Sequence, residues 1–136
     1  MSIEGGCYCG NVRYKIEGDP IFKGQCCCRA CCYISGGNPN IVMGVPEPNF
    51  SYTKGKPKQY KKTNLENPVT RDFCADCGTH LVTWAPAAAA IAIVKVGTLD
   101  DPTLYDKPDH VIWLDQAQPY HHIPEGCATF PGFPPR

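Results

Sequence analysis

The apolar residues of this chain recur mostly at every second position, the period of strands buried on one face. Residues 11–17, NVRYKIE, set Val12, Tyr14 and Ile16 against Arg13, Lys15 and Glu17, which predicts a half-buried strand. Residues 20–26, PIFKGQC, predict a second short one. The series continues at 41–45 (IVMGV), 69–73 (VTRDF), 80–84 (HLVTW), 91–97 (IAIVKVG) and 110–114 (HVIWL), with 91–97 the more buried and 110–114 the last. Residues 50–63, FSYTKGKPKQYKKT, predict a hairpin turning at KGKP. Residues 29–35, RACCYIS, have room for one or two helical turns before GGNPN breaks them. The alanine run at 87–90 leaves a helical turn and a tight loop both open. From about 119 to 136 the chain is Pro-rich and is expected to run extended over its own surface or a partner. No repeat, coiled coil or linker interrupts the pattern, so residues 1–136 are expected to form a single, mainly β domain with irregular loops.

Composition sharpens this picture. A chain of 136 residues can bury roughly two-thirds of its unfolded surface, so a real core is possible. A hydrophobic share of 43% with 14 Pro and 13 Gly implies short strands, many turns, and something besides the core to hold the loops. The formal net charge of zero gives no reason to expect a nucleic-acid or anionic-membrane partner. No window approaches the run of about 18 apolar residues that spans a bilayer. The start, MSIEGGCYCG, has no basic region followed by an apolar stretch, so no secretory leader is visible and a cytoplasmic location is expected.

Compartment decides how the ten cysteines are read. In a reducing cytosol they are thiolate ligands rather than disulfides. The alternative is a disulfide-stapled secreted domain, which would have to pair cysteines so close in sequence that the bridges strain. Cys7 and Cys9 form a C-x-C, Cys74 and Cys77 a C-x-x-C, and Cys26, Cys28 and Cys31 combine both spacings, with Cys27 and Cys32 interleaved and Cys127 alone.

Zinc with four sulfurs wants a tetrahedron whose sulfurs sit roughly 3.8 Å apart. A C-x-x-C at a hairpin tip supplies two of them, with Gly78 free to take positive φ behind Cys77. Residues i and i+2 of an extended chain share a face, so Cys7 and Cys9 can supply the other two if Gly10 bends the chain. Pairing these motifs gives a closed, structural site of Cys7, Cys9, Cys74 and Cys77. A thioredoxin-like redox pair at Cys74/Cys77 is the competing reading, but no βαβ pattern surrounds it.

Cys26, Cys28 and Cys31 then face a metal of their own. Three protein ligands with a vacant fourth position is the layout of catalytic zinc, whereas Cys27, Cys32 or a histidine would close the site; spacing leaves both open. Cys27 should face away from its neighbours along an extended chain, and Cys32 could swing toward a metal or stay buried. An open site carrying three thiolates is a weak Lewis acid but suits an incoming thiolate, so the chemistry that fits is activation of a small thiol against a carbonyl carbon. Iron is the other metal such ligands accept.

Further candidates are weaker. Arg29 can meet a substrate carboxylate, balance the thiolates, or bond to local backbone. Lys54, Lys56, Lys58, Lys61 and Lys62 beside Tyr52 and Tyr60 read first as a solvated hairpin, and otherwise as a polyanion surface. His121 and His122 read as surface histidines, and Asp100 and Asp101 as turn formers. The class competing with an enzyme is a non-catalytic zinc module that binds protein or nucleic acid.

The order GGCYCGNVRY, CCCRAC, YTKGKPKQYKKT, VTRDFCADCGTHL and VGTLDD resembles the glutathione-dependent formaldehyde-activating enzyme family, which includes centromere protein V. The resemblance runs from about Gly5 to the Pro-rich tail. It implies a small zinc-bearing β-tent. It implies two zinc ions per chain, a structural one on Cys7, Cys9, Cys74 and Cys77 and a catalytic one on Cys26, Cys28 and Cys31. The activity it implies is a carbon–sulfur lyase reaction, the formation and cleavage of S-hydroxymethylglutathione from glutathione and formaldehyde. The family commonly has histidine where this chain has Cys27, and a polar or basic residue where it has Cys32.

Overall fold

The computed structural model of the protein describes residues 2–135. Eleven strands and one α-helix appear in the order β1 (Ser2–Gly6), β2 (Arg13–Glu17), β3 (Phe22–Cys26), α1 (Arg29–Ser35), β4 (Asn40–Pro46), β5 (Phe50–Lys54), β6 (Lys58–Lys61), β7 (Thr70–Phe73), β8 (His80–Trp84), β9 (Ile91–Lys95), β10 (His110–Ile112) and β11 (Ala128–Thr129). A three-stranded sheet, β1-β2-β5, packs over an eight-stranded sheet ordered β11-β10-β3-β4-β9-β8-β7-β6. All pairings are antiparallel except β10 with β3 and with β11. Among the described residues no helix is long and apolar enough to cross a membrane.

Strand alternation divides the large sheet into two faces. Met43, Val94, Val82 and Asp72 lie in register and face the small sheet. They join Tyr14, Ile16, Val45 and Ala92 in the core, with Phe50, Tyr52 and Trp84 at its edge. The opposite face carries Gly24, Val42 and Lys95 in one register row and Arg71, Thr83 and Ile93 in another.

The predicted strands at 11–17, 20–26, 41–45, 69–73, 80–84 and 91–97 all form within a few residues of expectation, and α1 spans the predicted helical turns. Three differences have physical causes. Strand β1 escapes the pattern because SIEGG offers Ile3 as its one large apolar residue; its pairing with β2 is what makes it a strand. The hairpin at 50–63 does not form, because β5 pairs with β2 in the small sheet and β6 with β7 in the large one. Between them Gly55 takes φ +67 with its α-carbon so close to the Asn11 carbonyl that a Cβ would lie 2.1 Å from it, and Pro57 has no N–H to extend a ladder. Finally, 110–114 is not the last strand. It stops at Ile112, Trp113 turns to φ 56, and the tail returns as β11. The tail is tied down by Phe130 N–H to Val111 O at 2.9 Å and Leu114 N–H to Phe130 O at 3.0 Å.

Asp72 is 1% exposed in the core and accepts from Tyr52 Oη (2.7 Å), Trp84 Nε1 (2.9 Å) and Gln59 Nε2 (2.8 Å). Burial, then the neighbouring Asp72 carboxylate, pushes the Tyr52 phenol far up, so it stays a donor. Asp72→Ala leaves the Tyr52 and Trp84 donors without their acceptor and should cost about 2–3 kcal/mol in urea unfolding of the metal-loaded protein. A change within about 0.5 kcal/mol would mean that the carboxylate does not tie the aromatic cluster to β7.

Candidate metal centre

Two loops build the first cluster. After β1 the chain turns at Gly10 (φ 81), with Cys7 N–H bonded to Val12 O at 3.0 Å. After β7 the tip 74–78 closes on Gly78 (φ 78), whose N–H reaches Cys74 O at 2.9 Å. Asn11 Nδ2 to Asp76 Oδ2 (2.9 Å) and Tyr8 N–H to Thr79 Oγ1 (3.1 Å) clamp one loop to the other. The sulfurs of Cys7, Cys9, Cys74 and Cys77 then lie within 4.8 Å of one another. Cys7–Cys9 and Cys9–Cys74 separations of 3.6 and 3.8 Å match the edge of a tetrahedral zinc–sulfur site, so this set fits the metal.

The second cluster sits where β3 runs into α1. Cys26 ends β3 opposite Asn40 of β4. Cys28 is the N-cap of α1, its sulfur accepting the Cys31 N–H at 3.3 Å, and Cys31 lies in the first helical turn. Their three sulfurs also fall within 4.8 Å of one another, and among the described residues no further Cys, His, Asp or Glu joins them. Three converging soft donors fit a thiophilic metal. Asn40 Nδ2 approaches the Cys31 sulfur at 3.5 Å.

The thiols of each cluster are driven apart in acidity. Cys77 is pulled down to about 5, first by the Thr79 hydroxyl, whereas Cys9 is pushed up to about 12: the Asn11 backbone pulls it down, but burial and its three sulfur neighbours win. In the second cluster, Cys31 is held well down by hydrogen bonds from Cys26 and Cys28, and Cys26 is pushed far up by Cys28 and Cys31. Sulfurs this close cannot all carry charge unless a cation lies between them.

The interleaved cysteines stay out of the second cluster. Cys27 is fully buried but outside the converging set, and its N–H is bonded to Ile112 O at 3.0 Å. The Cys32 sulfur points to Cys27 O (4.0 Å) and His121 Nε2 (3.7 Å). His121 is therefore not a surface residue, as read from sequence: it is 9% exposed, and its Nε2 lies 2.8 Å from Gly37 O. His122 is exposed. The Arg29 guanidinium lies 5.2 Å over the Tyr33 ring, on the exposed side of α1, and is not drawn into the sulfur cluster. Lys54, Lys56, Lys58, Lys61 and Lys62 are solvated.

Sequence reasoning passed over Asn40, Arg71, His80, Thr83 and Lys95. One signal was present: Lys95 interrupts the apolar run IAIVKVG at a position whose neighbours are core. The others become visible only when the strands are in register.

A two-sheet β fold carrying one four-sulfur and one three-sulfur cluster defines a small cysteine-rich β protein whose two clusters could each hold a metal ion. The family described as glutathione-dependent formaldehyde-activating enzyme matches residues 2–116, and the chain belongs to it. Its fold is shared by a solved Rhodobacter sphaeroides protein, a structural genomics target, with a TM-score of 0.61 at 17% identity over 77% of this chain and 96% of that one. No curated protein sequence matches.

Proposed function

We propose that this protein is a zinc-dependent carbon–sulfur lyase that forms and cleaves S-hydroxymethylglutathione from glutathione and formaldehyde. Family membership supports formaldehyde activation with glutathione. The observation that carries the reading further is the difference between the clusters, four sulfurs in one and three in the other. On this reading Cys7, Cys9, Cys74 and Cys77 hold a structural zinc and Cys26, Cys28 and Cys31 a catalytic one. When bound at three thiolates with a fourth position free, zinc supplies a soft acceptor for the substrate thiolate.

The chain's own groups do the rest. Cys28 caps α1, so the loop holding two of the ligands is braced by the helix it starts. Asn40 steadies Cys31 through its amide. Cys32, whose sulfur meets Cys27 O and His121, and Cys27, which is not among the converging sulfurs, leave the fourth position to substrate. Arg29, one residue from Cys28, is the cation assigned to the aldehyde oxygen; to act there its guanidinium must leave the Tyr33 ring. Ten free thiols suit a reducing compartment, which supports a cytoplasmic location.

The test is metal content with X-ray absorption on anaerobically prepared protein, with and without glutathione. Two zinc ions per chain are expected, one gaining a sulfur neighbour when glutathione is added, with turnover of formaldehyde. Two four-sulfur shells unchanged by glutathione would overturn the enzyme reading and favour a binding module.

A further inference from the structure

The face of the large sheet turned away from the core carries basic groups that the sulfur clusters do not account for. Lys95 is 7% exposed, and its Nζ donates to Thr83 Oγ1 at 2.7 Å. Arg71 Nη1 shares that oxygen at 3.5 Å. Among the described residues neither cation forms an ion pair; the pairs present are Arg13–Asp100 and Lys15–Glu17. Beside them His80 Nδ1 is the one buried side-chain nitrogen or oxygen of the described residues with no hydrogen-bond partner. Burial, then the charges of Lys95 and Arg71, hold the His80 imidazole below its usual value, so it is a neutral ring beside two cations.

Two cations sharing one neutral hydroxyl in a half-dry setting are costly unless an anion offsets them. The Thr83 hydroxyl carries no charge. The Cys31 sulfur, foremost of its cluster, does act on Lys95, although burial acts more strongly and lowers it to about 8. Register places the two features on one face. Cys26 pairs with Asn40, and two residues along, Gly24, Val42 and Lys95 lie side by side across three strands. With strands about 4.8 Å apart and about 3.4 Å per residue, the Cα atoms of Cys26 and Lys95 are about 12 Å apart. That gap, shortened by the lysine stem, is the reach of a small peptide thiol. Arg71 is only half-buried, which leaves the basic end open to a ligand.

The geometry points to Arg71, Lys95 and His80 as the subsite that takes a free carboxylate of the thiol substrate, along the sheet from its sulfur. The inference rests on the reading of Cys26, Cys28 and Cys31 as the thiol-binding site. Arg71 and Lys95 supply charge-assisted donors to the carboxylate, and His80 supplies the ring nitrogen that lacks a partner.

Calorimetric titration of the zinc-loaded protein with glutathione, its glycyl monoester, its diester and 2-mercaptoethanol tests this. The diester is expected to bind about 10- to 100-fold more weakly than glutathione, the loss of a hydrogen-bonded charge. In Lys95→Met and Arg71→Gln the free acid and the diester should bind alike, 2-mercaptoethanol should bind as it does to the unchanged protein, and Lys95→Arg should restore part of the preference. Equal affinity of the unchanged protein for glutathione and its diester would overturn the subsite and leave the thiol site standing, whether or not the variants fold. Absence of binding by every thiol would overturn both.

Discussion

Cys28→Ser is expected to remove one metal ion from each chain and to lower S-hydroxymethylglutathione turnover by about 100-fold or more, because loss of a ligand should exceed the 10- to 100-fold effect of losing a group behind one. Cys28 is the corner shared by the two spacings of the second cluster, so its sulfur has no substitute there. Serine is chosen because Cys28 has a second duty, as N-cap of α1 accepting the Cys31 N–H. A serine hydroxyl caps a helix at least as well, so α1 keeps its start and the loss reports on the sulfur. Metal analysis, circular dichroism and exchange between glutathione and formaldehyde followed by NMR would check it. A variant with one metal and full turnover would move the chemistry elsewhere in the chain.

Cys74→Ala should act on the whole molecule instead. Cys74 has no exposed surface and lies within the main core cluster. Its sulfur closes a set that ties the loop after β1 to the tip between β7 and β8. Binding of structural zinc contributes about 10–16 kcal/mol in small metal-dependent domains, against a total stability of about 5–15 kcal/mol for a typical fold. On those magnitudes the variant is unfolded at room temperature, as the unchanged protein should be after exhaustive chelation. Thermal melts with and without a strong chelator decide it. A cooperative transition that survives chelation would mean that the two sheets hold without the metal.

The parts of this protein that sequence made legible are those set by short-range rules. The spacings of Cys7/Cys9, Cys74/Cys77 and Cys26/Cys28/Cys31 announced two sulfur clusters, and the clusters form with those members. Period-two alternation located β2, which buries one face, whereas β8 and β9, covered on both faces along much of their length, stood out as short apolar runs. What stayed hidden depends on partners. Strand β1 is made by β2, and β11 by β10, so neither needs an apolar pattern of its own. The segment 50–63 looked like a hairpin because its turn residues are right for one; the choice of different sheets for β5 and β6 was made by β2 and β7. His121 looked like a loop histidine, yet it is buried against Cys32 and Gly37, a contact 84 residues away in sequence for the latter. The grouping of Arg71, Thr83 and Lys95 is a matter of register alone.

The span of the four-sulfur cluster also sets a timetable for synthesis. Cys9 and Cys74 are 65 residues apart. At about 5–20 residues per second, the ribosome delivers the second half of that cluster about 3–13 s after the first. The sulfurs of Cys26, Cys28 and Cys31, all contributed by one short segment, emerge in the meantime and can gather without waiting for the rest of the chain. The local cluster is therefore the first competent to capture metal during translation, while Cys7 and Cys9 remain an open thiol pair on the nascent chain until the β7–β8 tip arrives.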